Sequence, residues 1–499
     1  MLKETVMSRR WIDSLLGIHT EYAPVSRRQV LTASATAAAG LLVSASESRS
    51  EQQQGKGRRV VVIGGGLSGL ACAFELSQAG CRVTVLEARD RVGGRAYSIT
   101  DLVDGKVAEA GGEFIGTNHP TFLSYAQRFG IKFVDVAHHK ANNPKPVMLD
   151  GRLLSRQELQ DTRRDVDSAF DAMTEAARKV VADEPWNTPD AKRWDELSSA
   201  KWLEEMSISP LARRLVAVQL MTTNGVTADQ QSQLGNMSQV RGGGLEKYWT
   251  DSERFRCRSG NDQLAKRLAE GIGADSVHRN SPVQKVSTRG TSVQVTTADG
   301  KVHEADDAVL CIPPSTWSRV QFDPPLPEVL KPQMGQAGKF LNAIRESFWK
   351  KHDMPPDSMS YTGTGHTWLG TENQDPNDGR DVLISFLGGV SATNWSKHAP
   401  DKRIADYQKQ LDEIQPGFQQ AVVQTRHIDW LKEPWTMAGY SFPAPGQITA
   451  HGPLLRAGIG RLHFAGEHTC YQFVGYLEGA LRSGVDAARR VLQGSSKSP

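Results

Sequence analysis

Arg58–Gly94, reading RRVVVIGGGLSGLACAFELSQAGCRVTVLEARDRVGG, constrains this chain more than any other stretch. An apolar run, Val60–Ile63, meets a glycine turn. Leu67, Leu70, Ala71, Phe74 and Leu76 follow at helical spacing, and Gly80 stops that helix. A second apolar run, Val83–Leu86, ends on Glu87. Strand, tight turn, helix and strand make the first unit of a parallel dinucleotide-binding sheet. Gly64, Gly66 and Gly69 carry the G-x-G-x-x-G spacing, with Ser68 inside it. The first glycine permits the turn, the second lets backbone approach a pyrophosphate, and the third lets helix and strand pack closely. Glu87 stands where an acid would accept ribose hydroxyls.

The stretch continues as Ala88–Arg95, ARDRVGGR. Plain NAD-binding units need nothing there. Ala88, Arg89, Gly94 and Arg95 would suit a larger flavin dinucleotide, whose pyrophosphate can use another cation and further N–H groups. Here the chain resembles the flavin-containing amine oxidases: monoamine, polyamine and putrescine oxidases, with L-amino acid oxidases as cousins. The resemblance runs over most of the chain after about Arg58. It implies an α/β fold in which a composite Rossmann-type FAD-binding domain (57–135, 250–320 and 436–495) is interleaved with an α+β substrate domain of mixed sheet and helices (136–249 and 321–435).

At 499 residues, 38% hydrophobic and 23% charged, the composition suits a globular enzyme, and a net charge of +3 gives no case for nucleic acid. No run approaches the ~18–20 apolar residues of a membrane span. The mitochondrial monoamine oxidases end in an anchor helix; Gly494–Pro499 is short and polar, so none is expected here. None of the five cysteines forms C-x-x-C. Cys72, Cys81 and Cys311 read as small core residues, and no metal-ligand set stands out. Residues 1–56 read as signal and linker. Ser26-Arg27-Arg28-Gln29-Val30-Leu31, followed by the Ala-rich Thr32–Val43, looks like a twin-arginine export signal, so the expected location is periplasmic or exported, the alternative being a cytoplasmic protein with a retained tail.

Further on, Gly111-Gly112-Glu113-Phe114 precedes a helix opened by Pro120. Ser155-Arg156-Gln157-Glu158 is a capping box for a long helix toward Ala182. Helical patterns follow near Trp194–Met206 and Pro210–Thr222, with Trp202, Leu203 and Met206 as core. Arg241–Gly244 reads as a flexible loop, and a helix begins at Gly260-Asn261. Ser281–Pro313 alternates as a β-meander, with Val309–Ile312 as a buried strand. Phe340–Arg345, Val382–Phe386 and Thr425–Trp430 read as strands around a helix at Asp401–Ile414, and Tyr476–Leu492 as the closing helix. No second G-x-G-x-x-G occurs, which argues against a separate NAD(P)H domain.

The resemblance assigns roles to named positions. Gly111 and Gly112 pass under the flavin ring, with Glu113 and Phe114 toward the pocket. The backbone at Val283 contacts adenine. Trp435 flanks the flavin. Gly466 and Glu467 contact the phosphate and ribityl chain, and the helix start at Tyr476-Leu477 aims N–H groups at flavin N1 and O2. Tyr440 and Tyr476 match the two walls of an aromatic cage, and Lys339 matches the lysine that holds a water beside flavin N5 and stabilises developing superoxide. Gly439 stands where the monoamine oxidases carry a cysteine bonded to the flavin, so FAD should be non-covalent.

The L-amino acid oxidases grip a substrate carboxylate with an arginine near the Glu113 turn. None is adjacent here; the acid at Glu113 would either attract an ammonium instead or hydrogen-bond the backbone and select nothing. The alternative is that Arg241 or another arginine reaches the pocket. The expected activity is oxidation of a small amine, with hydride transfer to N5, hydrolysis of the imine, and reduction of O2 to hydrogen peroxide. An L-amino acid oxidase, and a dehydrogenase passing electrons to a carrier protein, are the alternatives. A homodimer is compatible with this reading.

Overall fold

The computed structural model describes residues 55–136, 144–375 and 378–494. The twin-arginine segment lies outside these residues.

The glycine-rich stretch forms the centre of a five-stranded, all-parallel sheet. Its order is Leu462–Phe464, Asp307–Leu310, Arg59–Ile63, Arg82–Leu86 and Val277–His278. Val60 and Val62 pack on one face with Leu76, Ala487 and Val491, while Val61 and Ile63 pack on the other with Val295, Trp317 and Phe464. Both faces are covered, which is why the strand reads as a continuous apolar run rather than an alternating one. Each fully buried valine or isoleucine there contributes about 1.5–3 kcal/mol.

The helix Leu67–Gln78 follows the glycine turn, and the closing helix Leu477–Gln493 lies against it. A Cβ at Gly484 would run into the Ser68 carbonyl oxygen, so only glycine allows these helices to approach so closely. The helix after the glycine turn and the closing helix therefore pack on each other across most of the chain's length. The Glu478 side chain caps the helix Pro120–Arg128 through the amides of Thr121 and Phe122 at 2.9 and 2.8 Å.

The meander forms as expected: Val283–Arg289, Ser292–Thr297 and Val302–Ala305 are antiparallel, and Gln321–Asp323 adds a parallel edge. The buried strand begins at Asp307 rather than Val309, where the Asp307 carboxylate is anchored by Arg58 at 2.7 Å and His463 at 3.1 Å.

The third large sheet is mixed and seven-stranded: Val422–Asp429, Ala337–Ile344, Asp381–Gly388, Gly365–Leu369, Ser358–Ser360, Val147–Leu149 and Arg152–Leu153. The last four were not anticipated. Three of them span only two or three residues, too few to display a period. Helices Arg156–Ala177, Pro210–Asn224 and Gln233–Gly242 form a separate apolar core with Trp202 and Leu203, Met206 packing at its edge. The capping box at Ser155 is present in both directions, but the helix stops at Ala177, short of Ala182. The pattern near Trp194–Met206 splits into Ala191–Glu196 and Ser199–Glu204.

Arg241–Gly244 is a correction. Arg241 and Gly242 end the helix Gln233–Gly242, whose Asn236, Ser238 and Gln239 are buried. These side chains are satisfied internally: Asn236 bonds Ser199 and Gln231, Ser238 bonds the Leu234 carbonyl, and Gln239 donates to the Val474 carbonyl. A helix buried on most sides by polar groups lacks the amphipathic stripe on which sequence recognition depends.

Candidate active site

A cavity of about 1030 Å³ runs between the parallel sheet and the helical core. Its nucleotide-side wall includes Gly66, Ser68, Glu87, Ala88, Arg89, Gly94, Arg95 and Val283. Its middle includes Gly111, Gly112, Glu113, Phe114, Lys339, Trp435, Tyr440, Glu467, Tyr476 and Leu477. Eighteen of the twenty-one expected site positions line these two walls; the remaining three, Gly64, Gly69 and Gly466, do not line the cavity.

Those three act through backbone shape. Gly64 has φ +108° and Gly466 φ +141°, conformations open to glycine. A Cβ at Gly69 would collide with the Gly64 carbonyl oxygen. Backbone cannot yield there, so Gly69→Ala should displace the turn and lower flavin retention at least tenfold. The ratio of visible flavin absorbance to protein absorbance after gel filtration checks this. Gly66, by contrast, has open space at its Cβ position and starts its helix with no side-chain cap. Bare helix amides facing a cavity fit a phosphate. Opposite, a Cβ on Gly112 would come within 2.8 Å of Leu477 Cδ2, so the glycine turn and the closing helix touch.

The Glu87 carboxylate accepts from the amides of Gly65 at 2.7 Å and Arg89 at 2.8 Å, retaining lone pairs for a further donor. Arg89 is held by Glu433 and Thr436. Arg95 donates to Glu467 at 2.8 Å and to the Gly439 carbonyl at 3.0 Å. Glu467 also accepts from Ser441 and from the Gly475 amide. Burial pushes Glu467 up, but Arg95, His468 and Ser441 outweigh it and hold the carboxyl below its usual range. A Cβ at Gly439 would lie 2.5 Å from Ala337 Cβ, leaving no room for a longer side chain.

Tyr440 donates to the Thr223 carbonyl at 2.7 Å. Its ring lies 3.0 Å from where a Cβ on Gly475 would stand, beside the residue preceding Tyr476. Tyr476 reaches the Tyr248 hydroxyl at 3.5 Å and meets the His119 ring edge-on at 5.4 Å. Burial pushes His119 down to about 3, so it is neutral at pH 7; its Nδ1 accepts from the Gly116 amide at 2.9 Å. Tyr248 and the helix wall with Phe170, Met173 and Val240 were not anticipated as parts of the site, nor was His119, which packs behind Tyr476 without lining the cavity.

Glu113 departs most from expectation. It does not wait for a substrate ammonium. Lys339 Nζ lies 2.7 Å from Oε2, and Arg256 Nε and Trp368 Nε1 lie 2.8 and 2.7 Å from Oε1. Lys339 also donates to the Glu109 carbonyl at 2.9 Å. Burial opposes the charge on Glu113, yet Lys339 and Arg256 hold its carboxyl below the usual range. An arginine does reach this turn: Arg256, 5.1 Å from the Phe114 ring centroid. It is spent on Glu113, on Glu372 at 3.0 Å and on the Leu369 carbonyl. Arg241 is exposed, at the end of its helix, and does not line the cavity. Arg256 sits in the FRC strand Phe255–Cys257, and nothing in that short strand marks the arginine as buried.

Residues 67–492 match the family model described as flavin containing amine oxidoreductase. The chain belongs to this family. Amine oxidase [flavin-containing] B of Canis lupus familiaris is 28% identical over 479 residues, covering 88% of this chain and 87% of that one. The probable flavin-containing monoamine oxidase A of Dictyostelium discoideum is 24% identical, covering 87% and 97%. Among solved structures, cyclohexylamine oxidase from Brevibacterium oxydans IH-35A superposes with a TM-score of 0.77 at 25% identity, covering 88% of this chain and all of that one. Wild-type putrescine oxidase bound to putrescine gives 0.77 at 26%, covering 87% and 99%. This family member is thus an amine oxidase, a flavin enzyme of mixed α/β fold with small-molecule amines as its substrate class. No helix among the described residues is long and apolar enough to cross a membrane.

Proposed function

We propose that this amine oxidase binds FAD non-covalently and oxidises a small amine at the end of the path between Tyr440 and Tyr476. The observation that carries the reading is one continuous cavity shared by the glycine turn, Lys339 and both tyrosines. The bound flavin supplies hydride acceptance at N5 from the α-carbon of the neutral amine and return of the electrons to O2 as hydrogen peroxide, the imine hydrolysing to an aldehyde or ketone plus ammonia or a smaller amine. Gly66 and the helix behind it hold the pyrophosphate, Glu87 the ribose, the Val283 backbone the adenine, and Trp435, Gly111 and Gly112 the ring. The amides at Leu477 favour negative charge on the pyrimidine edge. Lys339, fixed by Glu113 and the Glu109 carbonyl, places a cation where oxygen gains charge. Tyr440 and Tyr476 orient the amine and hold its cationic form weakly by cation–π attraction. No side-chain base is required when the amine enters deprotonated.

The crowding of Gly439 against Ala337 supports non-covalent binding. Unfolding the protein in guanidinium should release all yellow colour through an ultrafilter; colour retained on the polypeptide would overturn this point. Anaerobic titration with amines should bleach the flavin, while bleaching only by α-amino acids would replace the substrate class, and failure of air to restore the colour would point to a carrier protein. The division into 57–135, 250–320 and 436–495 for the cofactor, and 136–249 and 321–435 for the substrate, stays part of this proposal. So does export by the twin-arginine machinery, with a cytoplasmic protein retaining its tail as the alternative; cell fractionation distinguishes them.

A further inference from the structure

Glu113 stands on the cavity wall, and Arg256 is buried behind it, outside the lining. The Glu113 carboxylate takes donors from three strands. Lys339 Nζ, on Ala337–Ile344, meets Oε2 at 2.7 Å. Arg256 Nε, on Phe255–Cys257, and Trp368 Nε1, on Gly365–Leu369, meet Oε1 at 2.8 and 2.7 Å. None of these strands contains Glu113, so the convergence of the donors does not depend on its side chain. Lys339 keeps a second anchor in the Glu109 carbonyl, and Arg256 keeps Glu372 and the Leu369 carbonyl.

Two cations and an indole N–H aimed at one point make a site for an anion. Neither neighbouring acid replaces Glu113 there. Glu109 accepts from Ser98 Oγ and the Asn261 amide, and burial pushes it up to about 8. Burial likewise pushes Glu372 up to about 7, with Arg256 pulling the other way. Two arginines elsewhere on the wall are also answered within the protein, Arg95 by Glu467 and Arg89 by Glu433. A substrate carboxylate reaching the Glu113 wall would find the donors taken and a like charge in front of them, and would lose its water for nothing. An uncharged amine meets no such penalty.

We infer that Glu113 is a specificity-determining residue whose own carboxylate occupies an anion site made by Lys339, Arg256 and Trp368, and so closes the cavity to substrates that carry a carboxylate beside the amine. The excluded class rests on the proposed amine-oxidase reading; the anion site rests on the side chains alone.

Truncation to alanine removes Cγ, Cδ and both oxygens, which match the heavy atoms of acetate. The Glu113→Ala holoenzyme should therefore bind acetate, which the wild type cannot, at the millimolar level open to so small a ligand. Urea unfolding at constant ionic strength, with acetate replacing chloride, reads this by linkage. The midpoint of Glu113→Ala should rise with acetate and saturate, while the wild type and Glu113→Gln, whose sites are filled, stay flat. No acetate dependence in Glu113→Ala, or the same dependence in the wild type, would overturn the inference. A Glu113→Ala chain that folds only with acetate present meets the expectation; one that fails to fold even then refutes it. Specificity is read by anaerobic bleaching with 2-phenylethylamine and with phenylalanine. The preference for the amine should fall about tenfold or more in Glu113→Ala, and acetate should restore it. An unchanged preference refutes the excluding role. Bleaching of the wild type by phenylalanine alone would remove the amine reading and the excluding role together, and the acetate titration would still report on the donor set by itself.

Discussion

Glu113→Ala is expected to cost about 3–5 kcal/mol of folding stability, the range for removing one partner from a buried ion pair. Lys339, Arg256 and Glu113 have side chains only 6%, 2% and 3% exposed. Deleting the carboxylate strands two cations that water cannot reach. Arg256 keeps Glu372, but burial pushes Glu372 up to about 7, so it is a weaker counter-charge at neutral pH. Against a typical total of about 5–15 kcal/mol, the loss is a large share. Guanidinium unfolding of wild type and variant checks it; a shift below 1 kcal/mol would refute the account. The pH dependence has a definite sign. Glu113 is held below its unfolded value, so its contribution is present above the unfolded pKa of about 4.3 and is lost as pH falls through the lower folded value. Glu113→Gln should lack that acid-side component.

Lys339→Met carries the largest expected catalytic effect. Removing one pre-oriented charge from the place where negative charge develops typically costs about 10²–10³-fold in rate. Reoxidation of the reduced enzyme by O2 should slow by that order, measured by stopped-flow mixing with air-saturated buffer, while reduction by amine changes far less. The fold should survive, because Glu113 keeps Arg256 and Trp368 as donors when the lysine is gone. Equal slowing of both half-reactions would mean that Lys339 shapes the pocket rather than serving oxygen. The asymmetry with Glu113→Ala follows from the count of charges: one removal leaves a paired carboxylate, the other leaves two crowded cations.

What the sequence revealed and what it hid divide along a physical line. The unit Arg59–Leu86, the helix opened by Pro120 and the capping box at Ser155 depend on neighbours a few residues apart, and local spacing displays them. Tyr440, Tyr476 and Lys339 were reached through the family resemblance of the segments that hold them. Arg256 was missed because its partner Glu113 lies 143 residues away, and a lone arginine in a three-residue strand ordinarily reads as surface. Glu113 lines the cavity, and its partners Lys339 and Arg256 were hidden for the same reason. The helix Gln233–Gly242 was read only at its glycine end, since its buried side chains are amides and hydroxyls that find each other across loops.

The parallel sheet takes its strands from Arg59–Leu86, Val277–Leu310 and Leu462–Phe464, and the closing helix seals the first one. During synthesis the nucleotide fold therefore has an open edge until almost the whole chain has left the ribosome. Early segments must wait as an exposed hydrophobic strand and helix for partners made much later, a topology that folds slowly and invites chaperones. Nascent chains arrested before the closing helix should remain protease-sensitive throughout, and cofactor loading belongs to the released polypeptide.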